Sequence, residues 1–387
     1  MSILGDYIKI KHGYAFKGTG ISTEDNGVVL VTPGNFAIGG GFKEDKCKFF
    51  TEDYPEEYRL SEDDLIVTMT DLSKDMDTLG YSALVPASDR IYLHNQRIGL
   101  VELIRDDVDK HFIHWFMRTY KYQRTIAGSA SGTTVHHTSP GRICDVEVAF
   151  PSYEMQKKIA FVLDSIEGKI KLNEEVNNNL AEMLQSVYQQ WFSVSESKTE
   201  CGVLSDICQY SKERIAVSSL SLNSYYSTEN MIPGKAGAFA ASSLPTVVQT
   251  TRAKVGDVLI SNIRPYFKKI VYCHTDCGCS TDVLCFTPKI PRLSAYLYST
   301  LYADRFFDFM VAGSKGTKMP RGDKLQIMAY PVHIPSEEEL ETFNRLAQPI
   351  LTQIEQNRLE NISLLSLRDG LLPRLMSGEI DVSNIDL

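Results

Sequence analysis

The densest group of potential ligands in the chain is Cys273-His274 with Cys277, Cys279 and Cys285, soft donors that in a suitable spacing would hold zinc. The spacing is C-x3-C-x-C, which belongs to neither a zinc ribbon nor a finger, and Cys279 and Cys285 bracket the β-like run STDVL. Buried free thiols at strand ends are therefore expected, and no metal site. His136-His137 follows Thr133 and Thr134 in a Gly/Ser/Thr-rich loop, but no spacing there supplies a nucleophile together with an orienting acid. Dinucleotide-binding, phosphate-loop and zinc-protease motifs are absent, as is an Asn-Pro-Pro-Tyr-like tetrapeptide of adenine methylation. No catalytic residue is expected.

Chemistry suited to reading bases is better represented. Asn95, Gln96 and Arg97 in LHNQRIGLV, and Asn262, Arg264, Tyr266 and Lys268 in ISNIRPYFKK, offer amides and guanidinium groups for bidentate bonds to base edges and a ring for stacking. Lys315, Thr317, Lys318 and Arg321 accompany a Gly-Ser/Gly-Thr loop whose backbone N–H groups, hydroxyls and cations suit phosphates. Thr133, Thr134 and His136 occupy the related loop nearer the N-terminus, and Asn35 and Lys74 complete the candidate DNA-contacting set.

The elements that must position these residues come in two copies. Ala127 to Thr133 (AGSASGT) returns as Ala312 to Thr317 (AGSKGT). Each loop precedes a strand-like run ending in Pro-Ser, at Pro151-Ser152 and Pro335-Ser336, and then a helical segment of about 40 residues. In the first helix Ile159, Leu163, Ile166, Ile170, Asn173, Asn177, Leu180, Leu184, Val187 and Trp191 alternate steps of 4 and 3, a coiled-coil seam. The seam recurs 184 residues later as Phe343, Ala347, Ile350, Ile354, Asn357, Asn361, Leu364, Arg368, Leu371 and Leu375. Asn173, Asn177, Asn357 and Asn361 interrupt both seams at matched places and are expected to set the register of the helix pair. Parallel and antiparallel packing would each align them. Ser336-Glu337-Glu338-Glu339 is a capping box, and Pro349 is expected to split off residues 337–347.

The globular halves read as mixed α/β with many short strands. The expected division is a globular domain at 1–151, a spacer helix at 152–193, a second globular domain at 194–335, and a second spacer helix with its tail at 336–387. A helix of 40 residues is ~60 Å long, a natural spacer.

At 387 residues the chain is too long for one ordinary domain, and 43% apolar with 23% charged residues is a globular composition. The formal charge of −9 argues against a polyanion-binding surface over the whole molecule, but it is unevenly spread. Residues 1–150, 151–200, 201–335 and 336–387 carry −6, −3, +6 and −6, so phosphate contacts belong first in the third stretch. The N-terminal residues lack the apolar core of a signal peptide and no run approaches ~18 apolar residues, so a cytoplasmic protein without a membrane span is expected. Eight scattered cysteines suit a reducing compartment.

With these residues in view, the sequence resembles the specificity subunits of type I restriction-modification systems. The resemblance rests on VTPGNFAIGGGF (31–42), MTDLSKDMDTLGYSALVP (69–86), LHNQRIGLVEL (93–103), GSASGTT (128–134), PSYEMQKKIAFVLDSI (151–166), CSTDVLCFTPK (279–289), AGSKGT (312–317) and LLPRLMSGEIDV (371–382), and spans essentially the whole chain. It implies two mixed α/β target recognition domains separated by two long helices packed as an antiparallel coiled coil, with an internal pseudo-two-fold repeat. Each domain would read one half of a bipartite, asymmetric sequence in double-stranded DNA, and the helix pair would set the spacer. The chain itself would be non-catalytic and hold no cofactor. Two modification subunits would bring S-adenosylmethionine, and restriction subunits would bring ATP-driven translocation and cleavage. A coiled-coil interaction scaffold without DNA reading is the alternative, and a zinc enzyme built on Cys273–Cys285 ranks third.

Overall fold

The computed structural model describes residues 2–45, 47–132, 134–192 and 201–385. The chain divides into two compact units, residues 1–170 with 362–387, and residues 171–361. Each contains two sheets of four or five strands, at least one further two-stranded pairing, short helices and one end of each of two long helices, Tyr153–Phe192 and Glu337–Met376.

In the first unit a four-stranded antiparallel sheet runs Ile8–His12, Ile98–Leu103, Leu65–Thr68, Ser82–Leu84, and beside it lies a five-stranded sheet containing Val28–Val31 and Ile91–His94 as a parallel pair. Val28–Val31 (VVLV) is a continuous apolar run, as a strand covered on both faces requires. Helices Lys110–Phe116 and Tyr120–Gly128 follow, capped by Asp109 and Thr119, whose side chains accept from Phe112 N and Tyr122 N. Their buried faces meet Ile159, Ala160 and Leu163 of the first long helix and Leu375 of the second in one core.

The second unit repeats this order. Its four-stranded sheet runs Cys208–Tyr210, Val283–Pro288, Val258–Ser261, Ile270–Tyr272, and a second sheet holds Arg214–Ala216, Gln249–Ala253, Cys277–Cys279 and Tyr225–Tyr226. Helices Ser294–Tyr302, Asp304–Ala312 and Lys324–Met328 stand where Lys110–Phe116, Tyr120–Gly128 and Pro140–Cys144 stand in the first. Cys273, Cys277, Cys279 and Cys285 are buried among Met231, Leu259 and Val283; the Cys277 thiol lies 3.6 Å from the Cys273 sulfur, and Cys285 donates to Asp257 Oδ2 at 3.3 Å. Burial pushes the Cys279 thiol up to about 12, so these are core thiols. Among the described residues no group of three or more His, Cys, Asp or Glu is placed to hold a metal ion, and no helix is long and apolar enough to cross a membrane.

Within each unit the long helices run antiparallel, and every residue of the two expected seams is buried or half-buried. Asn173 Nδ2 donates to Asn361 Oδ1 at 2.8 Å and to Glu360 Oε2 at 2.7 Å. Asn357 Nδ2 donates to Asn177 Oδ1 at 2.8 Å, and Asn177 Nδ2 to the Ile354 carbonyl at 3.1 Å. These amides, buried except for half-buried Asn177, satisfy one another across the pair, which fixes one register, because a slip would strand several of them. At the end of the first helix the buried positions move from Leu184 to Tyr188 and Phe192, leaving Val187 and Trp191 half-buried. A helix of 3.6 residues per turn drifts from a 3.5 repeat, and here Tyr188 and Phe192 pack on Tyr296 and Phe343.

The second helix corrects one expectation. Pro349 does not split off residues 337–347, since Glu337–Met376 is one helix. Proline removes a single ladder bond, while Phe343, Ala347 and Leu351 on either side of it are buried in one core and hold the axis through it. Its start is the expected capping box: Glu339 N donates to Ser336 Oγ at 3.3 Å and Ser336 N to Glu339 Oε2 at 2.8 Å.

Candidate nucleic-acid interface

The Gly/Ser loops are tight hairpins. In the first unit Ser131 and His137 exchange backbone bonds at 3.0 and 2.8 Å, and His136–His137 pairs with Thr70–Asp71, the segment leaving strand Leu65–Thr68. Thr138 N donates to the Met69 carbonyl and Met69 N to that of Arg97, each at 3.0 Å, so the hairpin, the 69–78 segment and the 95–97 turn lie side by side. Gly132, at φ 102°, closes the hairpin; a Cβ there would stand 2.0 Å from the Val135 carbonyl oxygen.

The second unit builds the same arrangement. Lys315 and Arg321 exchange backbone bonds at 2.9 Å, Arg321 bridges to Ile263, Arg264 N donates to the Pro320 carbonyl at 2.8 Å, and Asn262 N donates to the Asp282 carbonyl at 2.8 Å. The counterpart of segment 262–268 is therefore 69–78, and that of the 95–97 turn is 280–282. The Asn-Gln-Arg stretch at 95–97 and the Asn-Ile-Arg stretch at 262–264 therefore occupy neighbouring rather than equivalent places in the repeat.

Both segments contain backbone in the left-handed region. Arg264 and Lys268 each have φ 51° and bracket the turn Pro265–Phe267; Met76 has φ 54° in the first unit. Such conformations cost ~1–3 kcal/mol for a non-glycine residue and persist only where surroundings enforce them. In the second unit they lift Tyr266, 49% exposed and 4.8 Å from Phe267 ring to ring, off the surface. In the first, Leu72 is 64% exposed beside exposed Lys74.

The candidate residues divide by exposure. Lys74, Gln96, Arg97, Thr134, Tyr266, Thr317 and Lys318 are exposed; Asn95 and His136 are half-buried at the same edge, where Asn95 Oδ1 accepts from Arg97 N at 3.0 Å and shapes the turn. Half-buried Arg264 has its Nη2 3.5 Å from the Lys318 carbonyl. Thr133 lies outside the described residues. Three cations are held by acids: Lys268 by Asp304 at 2.6 Å, Lys315 by Asp323 at 2.6 Å, and Arg321 by Asp282 at 3.0 Å.

Asn35 and Asn262 do not face solvent. Asn35 is fully buried, its Oδ1 accepting from Thr32 N at 2.9 Å and its Nδ2 donating to the Lys43 carbonyl at 3.2 Å, so it braces a turn. Asn262 is 8% exposed beneath the hairpin, where its carbonyl accepts from Gly322 N and its Oδ1 would stand 3.0 Å from a Cβ on Gly322. Two residues outside the candidate set shape the site. Arg142 Nη1 reaches Ser131 Oγ at 3.3 Å and the His137 carbonyl at 3.5 Å. Buried Asp71 accepts from Ser73 N at 2.6 Å, Thr78 N at 2.7 Å and Thr78 Oγ1 at 2.6 Å.

Burial alone would raise the Asp71 carboxyl, but the donors of Thr78 and Ser73 outweigh it and hold it below its ordinary 3.8. Its contribution to stability is thus present above the unfolded value and lost as pH falls through the folded one. Asp71→Asn faces those donors with one acceptor instead of two, an expected loss of about 1–3 kcal/mol. Amide exchange at Ser73 and Thr78 should rise by the matching factor, and unchanged protection there would show that the carboxylate does not order the segment.

Residues 1–182 match the family model described as the type I restriction modification DNA specificity domain. The type I restriction enzyme MjaIX specificity subunit of Methanocaldococcus jannaschii is 22% identical over 310 residues, 73% of this chain and 71% of that protein. The EcoDI specificity subunit of Escherichia coli is 21% identical over 331 residues, 74% and 73%. Among solved structures, the type I restriction-modification S subunit from M. genitalium shares the fold, with a TM-score of 0.58 at 15% identity over 96% of this chain and 94% of that one.

Proposed function

We propose, from the premise that the chain belongs to the specificity subunits of type I restriction-modification systems, that each of its two units reads one half of a bipartite, asymmetric DNA sequence and that the helix pair sets the gap between the halves. Specificity subunits are non-catalytic, and the reading assigns this chain recognition alone. The carrying observation is the recurrence, in both units, of a Gly/Ser hairpin pinned over a strained segment that lifts exposed side chains off the surface.

Lys74, Arg97 and Lys318, with the hairpin hydroxyls of Thr134 and Thr317, contact phosphates and set register on the duplex. Gln96, Arg264 and Tyr266 supply amide, guanidinium and ring for base edges and stacking. Lys268, Lys315 and Arg321 are held by Asp304, Asp323 and Asp282, and exchanging those carboxylates for phosphates gives binding a strong salt dependence. With −6 over residues 1–150, the first unit draws much of its DNA affinity from partner subunits that close around the duplex. Those partners are two modification subunits, which hold S-adenosylmethionine and methylate adenine, and restriction subunits that use ATP.

Base-resolution methylation mapping in a host carrying this chain with a modification subunit tests the reading. It predicts one new two-part motif with a fixed gap. A modified host with no motif dependent on this chain would contradict it and favour a scaffold role.

A further inference from the structure

The two long helices are copies of each other, so each could pair with its partner or with the same helix of a second molecule. The amide-to-amide contacts do not decide between these. Shifted by the 184-residue repeat, Asn361 and Asn357 become Asn177 and Asn173, and a pair of like helices would keep those contacts; only the Asn173–Glu360 bond lacks a counterpart in a pair of first helices, where Val176 stands for Glu360.

One charged pair breaks the symmetry, alongside apolar differences such as Leu163 for Ala347 and Trp191 for Leu375. Arg368 Nη1 donates to Glu167 Oε2 at 2.7 Å, with both side chains mostly buried, and Glu167 Oε1 also faces Arg118 Nη1 at 3.5 Å. The positions related to this pair by the repeat are Leu184 and Leu351, both 2% exposed in the apolar core of the second unit. Pairing first with second helix therefore puts charge on charge once and leucine with leucine once. Pairing two first helices puts Glu167 against Leu184 twice, and pairing two second helices puts Arg368 against Leu351 twice.

We propose that the Glu167–Arg368 pair determines partner choice: it makes each helix fit the unlike helix and reject its own copy, while the amide-to-amide contacts fix register only. A buried ion pair adds little to stability against an apolar pair of similar size, but a partner that leaves one charge facing leucine is heavily penalised. The device is independent of what the units bind. It suits a chain whose two units differ, because like-with-like association would join two copies of one reader.

Arg368→Leu is the discriminating variant. It leaves Glu167 beside Arg118, and it equalises the alternatives at the charged position: two unlike pairs then contain the same contacts there as one pair of each like kind, and only apolar differences such as Trp191 on Phe343 still separate them. The full chain, with a protease site inserted between Glu196 and Ser197, is cleaved after folding, carried through denaturant and back, and its associated halves are counted by native mass spectrometry. For the wild type, like pairs should stay below about a tenth of the total. In Arg368→Leu they should rise several-fold, towards the statistical share of about half. Arg368→Lys, which keeps the charge, should return to the wild-type distribution, and Arg368→Met carries the same expectation as leucine should that variant not refold. Like pairs at the statistical share in the wild type, or a persistently unlike pair in the leucine and methionine variants, would overturn the proposal.

Discussion

Replacing Arg118 by methionine is expected to destabilise the first unit by about 3 kcal/mol, the low end of the range for removing one partner of a buried ion pair, because Glu167 keeps Arg368. The guanidinium is nearly inaccessible, and burial pushes its pKa down, with Glu167 opposing. Its Nε donates to the Gly39 carbonyl at 2.9 Å, its Nη1 lies 3.5 Å from His114 Nε2, and its plane sits 4.2 Å from the Trp115 ring centroid. Gly40, at φ 89°, admits the stem, since a Cβ there would stand 2.6 Å from Arg118 Cγ. The side chain thus joins the glycine loop 39–41, the helix Lys110–Phe116 and both long helices within one unit. Thermal unfolding followed by a probe in that unit should shift down by about 6–12 °C, given ~2–4 °C per kcal/mol for a unit of this size. A shift under about 2 °C would mean that the network contributes contacts without holding the unit together.

None of that network is legible along the chain, because Arg118 and Arg368 stand 49 and 201 residues from Glu167 and only the fold brings them together. The helices are legible because their evidence is local: steps of 4 and 3 and paired asparagines report a seam whatever lies beyond it. The seam reading loses accuracy at Val187 and Trp191, where Tyr296 of the globular core joins Phe343 of the opposite helix and together they select Tyr188 and Phe192. The hairpins are visible as repeated Gly/Ser runs. The fate of an amide is not, since Asn35 and Asn262 resemble Gln96 in sequence and differ by whether Lys43 or Gly322 covers them. Asp71 left a weak signal, an aspartate two residues before a serine, the pattern of a side chain that accepts from the backbone just ahead of it.

Lengthening both helices together is expected to move the accepted gap between half-sites. The register places Leu180 opposite Ile354, so seven residues inserted after Leu180 and seven inserted before Ile354 leave the Asn173–Asn361 and Asn177–Asn357 bonds in place. Leu184 to Phe192 and Phe343 to Leu351 also keep their shared core. Seven residues add about 10 Å of helix, and at ~3.4 Å per base pair the gap should change by about 3 base pairs. A heptad placed in the first helix alone carries Tyr188 and Phe192 out of register with Phe343 and should instead destabilise the second unit. Methylation mapping of the doubly lengthened chain reads the gap directly; an unchanged gap in a stably folded variant would remove the helix pair as the ruler.

The division of labour between the units is tested most directly by exchange. Residues 201–335 are replaced with the matching segment of another specificity subunit, and adenine methylation is mapped in a host supplied with the modification subunit. The expected motif keeps one half-site of the parent and acquires one from the donor. A motif altered in both halves, or in neither, would contradict independent reading by the two units.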